Sequence, residues 1–571
     1  MYCNKDNVNI LTALLVKHRV RNVVVCPGSR NSPLVHNFVE CPELRCYPVT
    51  DERSAGFYAL GMCQALNEPV AVCVTSGTAL LNVAPAVAEA YYQHQPIIVI
   101  SADRPTQWID QLDGQTLPQT DILNNFVRKK ININEPHNDE ERWYCNRLIN
   151  EALISSIADG YGPIHINVPI TEPLFVYNVD VLPDERTITM FSPKSTQIDD
   201  SVIRRFEEAE RPMIVIGQMK KHPLTSPSIQ TVNEHYDMTN ALSPGTAEGL
   251  DMLGYVVLQE RLSGDGRTAK YLDESVTLVE DSQSYLPDFI LYIGDTLVSK
   301  RTRRFLRKAT NAECWEINPE GRPHDVFMNL TGIIRAYPDE VLKQIRRHGN
   351  HTFHDLWEDV KRRVHNCHST FVPAYSQLLA VKRLEEITSK EDPSSVMHYA
   401  NSGAVRCGNI YSRHYIYCNR GVNGIEGSLS TAAGFSLVTE NNVYCIIGDL
   451  SFFYDQNALW NKNLKRNLRI LLINNGGGGI FRHLDGLSNS PASEDYVMGR
   501  HITTAEGICK ENNITYFKAT NETDLDEFLL KLSCEEYSRP ILLEVFTDGE
   551  TDAKVYNQYY NFLRYGMEIN A

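Results

Sequence analysis

Short apolar runs set the architecture of this chain. They read NVVVCPGSR, VAVCVTSGTA, IIVISADRP, IHINVPI, MIVIGQ, ILYIGD, CIIGDLS, ILLINN and ILLEVF. Each is rich in β-branched or aliphatic residues and lacks polar alternation, and most run into Gly, Ser, Asp or Pro. A strand with one wet face alternates; a strand buried on both faces does not. Segments of helical spacing, such as ERSAGFYALGMCQAL and ALLNVAPAVAEAYYQ, separate many of these runs. That order predicts doubly wound parallel sheets of the α/β class. Ligands of such sheets bind outside the carboxyl ends of the strands. GSR, TSG, ADR, GDL and NNG all stand there.

The chain has 571 residues, more than one hydrophobic core serves. Proline-rich 172–196 reads as a linker, and polar, histidine-rich 348–370 as the exit from a middle domain. The expected domains are 1–180, 195–350 and 371–571. A hydrophobic content of 42% and a charged content of 22% are those of a soluble globular protein. The net charge of −16 argues against general binding to nucleic acid or acidic membranes. No apolar stretch is long enough to span a bilayer. The start, MYCNKDNVNILTALLVKHRV, lacks the apolar core and small-residue cleavage site of a signal peptide. Fourteen cysteines include no C-x-x-C pair, which fits reduced, buried thiols. A cytoplasmic location is expected.

The stretch RILLINNGGGGIFRHLDG carries the first chemical signal. A dinucleotide fingerprint would need a glycine where Phe481 stands, and no G-K-[ST] follows. A flexible turn after a strand is the plain alternative. The preceding strand, in VYCIIGDLSFFYDQNALW, ends in Gly448 and Asp449. A carboxylate and the amide of Asn475, each at a strand tip, are hard oxygen donors suited to Mg²⁺. Adjacent glycines let the backbone approach an ion and phosphates.

G-D-x followed about two dozen residues later by N-N resembles the metal and diphosphate motif of thiamine-diphosphate enzymes, whose usual form is GDG. The resemblance implies three doubly wound domains of the pyruvate decarboxylase-like type. It implies Mg²⁺ (or Mn²⁺) on Asp449, Asn475 and the Gly477 carbonyl, with Gly448 and Ser451 also at the cofactor. Such enzymes need a glutamate that activates the aminopyrimidine ring, and VTDERSAGFYALG offers Glu52. Alone, Glu52 reads as a helix-start acid favoured by the dipole. The resemblance makes it the catalytic residue. It also implies a homodimer or dimer of dimers with active sites at the interface.

Basic residues narrow the choice. Arg30, Arg104, Lys300, Arg301, Arg406 and Arg420 are each, taken singly, surface charges or salt bridges. Five of the six occupy or follow strand-end loops in an acidic chain, where Arg recognises carboxylates through its planar fork. PGSRNSPL, DERSAGFYALG, TSGTA, ADRP, NRGVNGIEGSLSTAAG, GDLSFFYDQNAL and NNGGGGIF closely resemble the menaquinone-pathway 2-succinyl-5-enolpyruvyl-6-hydroxy-3-cyclohexene-1-carboxylate (SEPHCHC) synthase family. GDLS in place of GDG is typical of that family. Gly114 stands where the family commonly has Asn before Gln115.

The resemblance implies decarboxylation of 2-oxoglutarate and 1,4-addition of the resulting carbanion equivalent to isochorismate. It places Ser29, Arg30, Arg104, Gln115, Lys300, Arg301, Ser402, Arg406 and Arg420 on the dicarboxylate substrates or intermediate. Ile425 would bend the cofactor. Ile480, Phe481 and Leu484 would form a dry apolar wall. The rivals are another 2-oxoacid decarboxylase, an acetolactate synthase-like carboligase, or a degenerate scaffold. The cluster His348, His351, His354, His365, His368 and Cys367 could be read as zinc ligands, but reads better as surface histidines.

Overall fold

The computed structural model describes residues 1–158, 160–190, 198–221, 241–264, 266–483 and 486–566. Three parallel sheets account for nearly all its strands. The first contains β1 (Asn22–Val25), β2 (Arg45–Pro48), β3 (Val70–Val74), β4 (Ile97–Asp103), β5 (Lys129–Asn132) and β6 (Ile164–Pro169), in the order 2-1-3-4-6-5. The second contains β7 (Pro212–Ile216), β8 (Val256–Gln259), β9 (Phe289–Ile293), β10 (Glu313–Ile317) and β11 (Leu330–Ile334), in the order 8-7-9-10-11. The third contains β12 (Val396–Tyr399), β13 (Ile416–Tyr417), β14 (Val443–Gly448), β15 (Leu468–Asn474), β16 (Thr515–Ala519) and β17 (Ile541–Phe546), in the order 13-12-14-15-17-16. Renumbered from its own start, the third sheet has the order of the first.

Both sheets therefore change winding direction at equivalent places. In the first sheet the switch lies between the carboxyl ends of β1 and β3, which lead into PGSR and TSG. In the third it lies between β12 and β14, which lead into Asn401–Ser402 and Asp449. These crevices are where open α/β sheets take ligands. The β1 and β3 loops touch: a Cβ on Gly28 would stand 2.4 Å from the Thr75 Cβ.

The first and third sheets meet through three helices, α1 (Glu52–Leu66) and α2 (Thr78–Tyr92) on one side and α5 (Ser428–Leu437) on the other, with α1 against α5 as the main contact. Between them in sequence lie α3 (His351–Thr370) and α4 (Gly403–Tyr411). A Cβ on Gly434 would fall 2.2 Å from the Tyr58 carbonyl oxygen, and one on Gly61 1.9 Å from the Thr431 carbonyl oxygen. Only glycine lets these two backbones meet.

The segment 348–370 is mostly helical rather than irregular. Most of it is the 20-residue helix α3, which buries Phe353, Trp357, Val360, Val364 and Cys367 along one face. Polar residues between those positions mask the stripe in the linear sequence. The cysteines are unpaired and, apart from Cys46 and Cys534, buried. No described helix is long and apolar enough to cross a membrane.

Candidate active site

The register of the third sheet assembles the glycine loop. Gly448 on β14 pairs with Ile473 on β15, so Asp449 and Asn474 leave the sheet side by side. Asp449 is buried, and its Oδ2 accepts the backbone N–H groups of Asn475 and Gly477, each at 3.0 Å. Its Oδ1 accepts the Leu450 N–H at 2.6 Å. Burial pushes this carboxyl above its ordinary range, against the opposing pull of the amides and His501. The Asn475 side-chain N–H₂ donates to Asp552 Oδ2 at 3.0 Å. Its Oδ1 has no hydrogen-bond partner among the described residues.

The glycines leave space that side chains would close. A Cβ on Gly477 would stand 2.9 Å from the Met498 carbonyl oxygen, and one on Gly478 2.7 Å from the Phe481 ring. Gly476 has φ +75°, a left-handed conformation. The Gly477 carbonyl accepts the Gly479 N–H at 2.9 Å and keeps a second lone pair; with a buried carboxylate and an uncommitted amide oxygen it forms a donor set that fits a hard divalent cation. Ser451 Oγ donates to the Ile425 carbonyl at 2.5 Å, tying the helix after Asp449 to the loop of Ile425.

Glu52 opens α1, but Asp51 caps it. The Asp51 carboxylate accepts from the backbone of Arg53 and Ser54 and from Asn457 Nδ2 at 2.7 Å. Glu52 has no hydrogen bond or ion pair among the described residues. The capping bonds at this helix start belong to Asp51, and Glu52 stands in the first turn, where the helix dipole favours an acid.

The basic residues divide into three groups. Arg30 is buried; it donates to the Ile170 carbonyl at 3.0 Å and to Glu172 Oε1 at 3.2 Å. Burial and the nearby Arg104 guanidinium lower its pKa. Arg104 pairs with Asp113 at 3.1 Å. Exposed Ser29 and Gln115 flank this pair in sequence. Arg420 is held by all three domains. Glu89 on α2 accepts the N–H groups of Gly421 and Val422, each at 2.7 Å. Thr296 Oγ1 donates to the Arg420 carbonyl at 3.0 Å, and Arg420 Nη1 donates to Asn401 Oδ1 at 3.0 Å. Burial lowers the Arg420 pKa, and its Nε has no partner; the Nε of Arg406 is likewise buried and unpartnered.

Ser402, next to Asn401, sits at φ +71°, ψ −119°. Such strain in a non-glycine residue concentrates at functional sites. In the third group, Lys300 is exposed with no ion-pair partner among the described residues. Arg301 is engaged: it donates to Asp273 and Thr277, each at 2.6 Å, and stacks on Tyr560.

The sequence itself has close relatives. The thiamine pyrophosphate enzyme N-terminal TPP binding domain matches residues 6–124. The 2-succinyl-5-enolpyruvyl-6-hydroxy-3-cyclohexene-1-carboxylate synthase of Phocaeicola vulgatus is 40% identical, covering 99% of this chain and 99% of the relative. That of Bacteroides fragilis is 40% identical over 99% and 100%. That of Christiangramia forsetii is 33% identical over 97% and 98%. The chain belongs to the SEPHCHC synthase family.

Its fold is that of the thiamine-diphosphate enzymes. Reading the sequence missed the last helix, α6 (Gly549–Tyr565). Asp552 touches Asn475, Tyr556 lines a pocket beside Arg406, and the Tyr560 hydroxyl donates to Asp273 at 2.8 Å. Their spacing of four and four on one helix face was the available signal. Ile480 and Phe481 lie half-buried in the turn Gly479–His483; Leu484 lies outside the described residues.

The histidines are not uniformly at the surface. His354 is largely buried and lies 3.2 Å from Asp251, and the His368 ring bonds the Tyr559 hydroxyl at 3.0 Å. Their helix packs into the core, which a polar reading of the segment hid. Asp251, His354 and Glu358 lie within reach of one ion, but the Lys361 ammonium stands 2.7 Å from Glu358 and 3.8 Å from Asp251. That cation makes the group an ion-pair network.

Proposed function

We propose that this synthase decarboxylates 2-oxoglutarate and adds the four-carbon unit in 1,4-fashion to isochorismate, giving SEPHCHC and CO2 in menaquinone biosynthesis. The observation that carries the reading is Arg420, fixed by Glu89, Thr296 and Asn401 with a desolvated guanidinium. Buried cations of this kind gain most from a carboxylate ligand. Bound thiamine diphosphate would supply the electron sink that lets a 2-oxo acid lose CO2. Asp449, Asn475 and the Gly477 carbonyl would hold Mg²⁺ or Mn²⁺ on its diphosphate, with Gly448 and Ser451 beside it.

Glu52 would hold a proton shared with the aminopyrimidine ring. Its freedom from other partners suits that task. Arg406 and Arg420 would grip one dicarboxylate; Arg30 and Arg104, with Ser29 and Gln115, would grip the other. Glu172 and Asp113 would be exchanged for substrate carboxylates. Lys300 is free to do the same, whereas Arg301 would first have to leave Asp273. Ile425, Ile480 and Phe481 would exclude water, which would otherwise protonate the carbanion equivalent. The protein works as a homodimer or dimer of dimers, with Glu52 and Asp449 of different subunits completing each site.

The test is incubation of the cofactor-loaded protein with 2-oxoglutarate, with and without isochorismate. CO2 release coupled to isochorismate consumption is the expected result. Equal release without isochorismate, or preference for pyruvate, would overturn the proposal.

A further inference from the structure

We infer that Asp552 is a positioning residue that fixes which end of the Asn475 amide faces the cation. This inference rests on the proposed metal site. An asparagine side chain presents an oxygen on one side and an N–H₂ on the other, and a metal ligand must present the oxygen. Nothing in Asn475 itself selects that orientation.

Asp552 selects it. The side chain is buried, and an ionised carboxylate can only accept hydrogen bonds. Its Oδ2 takes the Asn475 N–H₂ at 3.0 Å and the Thr547 hydroxyl at 2.7 Å. Its Oδ1 takes the Gln377 backbone N–H at 2.8 Å. The amide oxygen of Asn475 is thereby turned to the opposite side, where it has no partner among the described residues.

The topology delivers Asp552 to this place. Strand β17 lies beside β15, with Asn474 paired to Phe546, and the Thr547 N–H donates to the Asn474 carbonyl at 3.0 Å. The chain then turns directly into α6, whose first turn carries Asp552. Partners that orient a metal ligand typically change metal affinity by about 10- to 100-fold when removed.

Asp552→Asn is the informative change. The new amide has one oxygen for two sides that both donate, so keeping the Gln377 N–H bond turns its N–H₂ toward the N–H₂ of Asn475, a clash that Asn475 relieves by turning over and showing its N–H₂ to the ion. We would measure the Mg²⁺ concentration that half-saturates thiamine diphosphate binding, followed by tryptophan fluorescence, with no turnover involved. D552N is expected to raise it about 10- to 100-fold. Thr547→Val, which removes a different bond to the same carboxylate, is expected to stay within about twofold.

The double exchange Asn475→Asp with Asp552→Asn restores a matched donor and acceptor. It is expected to bind Mg²⁺ more tightly than either single variant. An unchanged D552N, an equal effect in T547V, or a double exchange no better than D552N would each overturn the positioning role. Asp449→Ala separates the two readings. If D449A leaves the Mg²⁺ requirement unchanged, the metal site itself is wrong. If D449A abolishes binding and D552N does nothing, only the positioning role fails. Should D552N not fold, Asn475→Asp alone still tests the contact, because its carboxylate would meet Asp552 and weaken binding; no change in that variant would overturn the role.

Discussion

Two adjacent acids, Asp51 and Glu52, allow a sharp separation of structure from chemistry. Asp51 accepts two backbone N–H groups at the start of α1 and the Asn457 side chain from the third domain. Glu52 accepts none among the described residues. Losing a helix cap costs about 1 kcal/mol, and a hydrogen bond to a charged group contributes about 1.5–3 kcal/mol. Asp51→Ala should therefore destabilise the unliganded protein by about 2–4 kcal/mol. Glu52→Gln breaks no contact and should change stability by no more than about 0.5 kcal/mol. Catalysis should respond in the opposite order. Loss of a general acid–base group slows turnover by roughly 10²- to 10⁴-fold. The assay is thermal unfolding without cofactor, thiamine diphosphate binding, and CO2 release with both substrates. E52Q should melt like the parent and bind cofactor, yet turn over at under about one per cent of its rate. Turnover within tenfold of the parent would refute the catalytic assignment. A melting loss in E52Q equal to that of D51A would refute the division of labour.

Other outcomes follow from the same geometry. Arg406→Ala should raise the KM for the dicarboxylate substrates by at least about tenfold while leaving thiamine diphosphate affinity within about twofold; equal losses would contradict its placement. Mixed E52Q and Asp449→Ala chains, each inactive, should recover up to about a quarter of parent activity if every site takes Glu52 and Asp449 from different subunits; no recovery after subunit exchange would contradict shared sites. Gly434→Ala should destabilise by at least about 1–3 kcal/mol, because its methyl would meet the Tyr58 carbonyl at 2.2 Å; an unchanged melting temperature would contradict the backbone contact. His94 lies 3.3 Å from Asp295 and 3.2 Å from Glu320. Burial alone would lower its pKa, but the two carboxylates outweigh burial and raise it from 6.5 to about 9. The protonated form thus stabilises the fold, fully below pH 6.5, and the contribution disappears as pH rises through 9. His94→Gln should cost on the order of 2–3 kcal/mol at pH 6 and little above pH 10; a constant difference across that range would contradict the pairing.

What the sequence disclosed follows from where each strand lies. The apolar runs that announced parallel sheets, from NVVVC to ILLEVF, all became interior strands. Strands β2, β5, β11 and β16 are sheet edges with partly exposed residues, so their patterns are broken by Arg45, Lys129, Thr331 and Lys518. A continuous apolar run marks burial on both faces, and an edge strand does not have that. The edge strand β8 is fully buried, yet its four residues, Val256–Gln259, are too short to stand out. The site shows the same division. Asp449, Asn475 and Glu52 could be nominated because each follows or precedes a strong local pattern, and family resemblance supplied the roles proposed for them. Asp552 was not legible, because its meaning depends on β17 lying beside β15, a neighbour relation between segments about 70 residues apart. The α3 helix failed for a third reason. Its stripe from Phe353 to Cys367 holds helical spacing, but charged and histidine residues outnumber it in any window. Amphipathic helices between domains are therefore the elements most easily mistaken for linkers. The same spacing argument extends to α6: Asp552, Tyr556 and Tyr560 lie on one face. That face joins the Asn475 amide, the cavity at Arg406 and the Asp273–Arg301 pair. One helix thus touches both the glycine loop after β15 and the pocket beside Arg406.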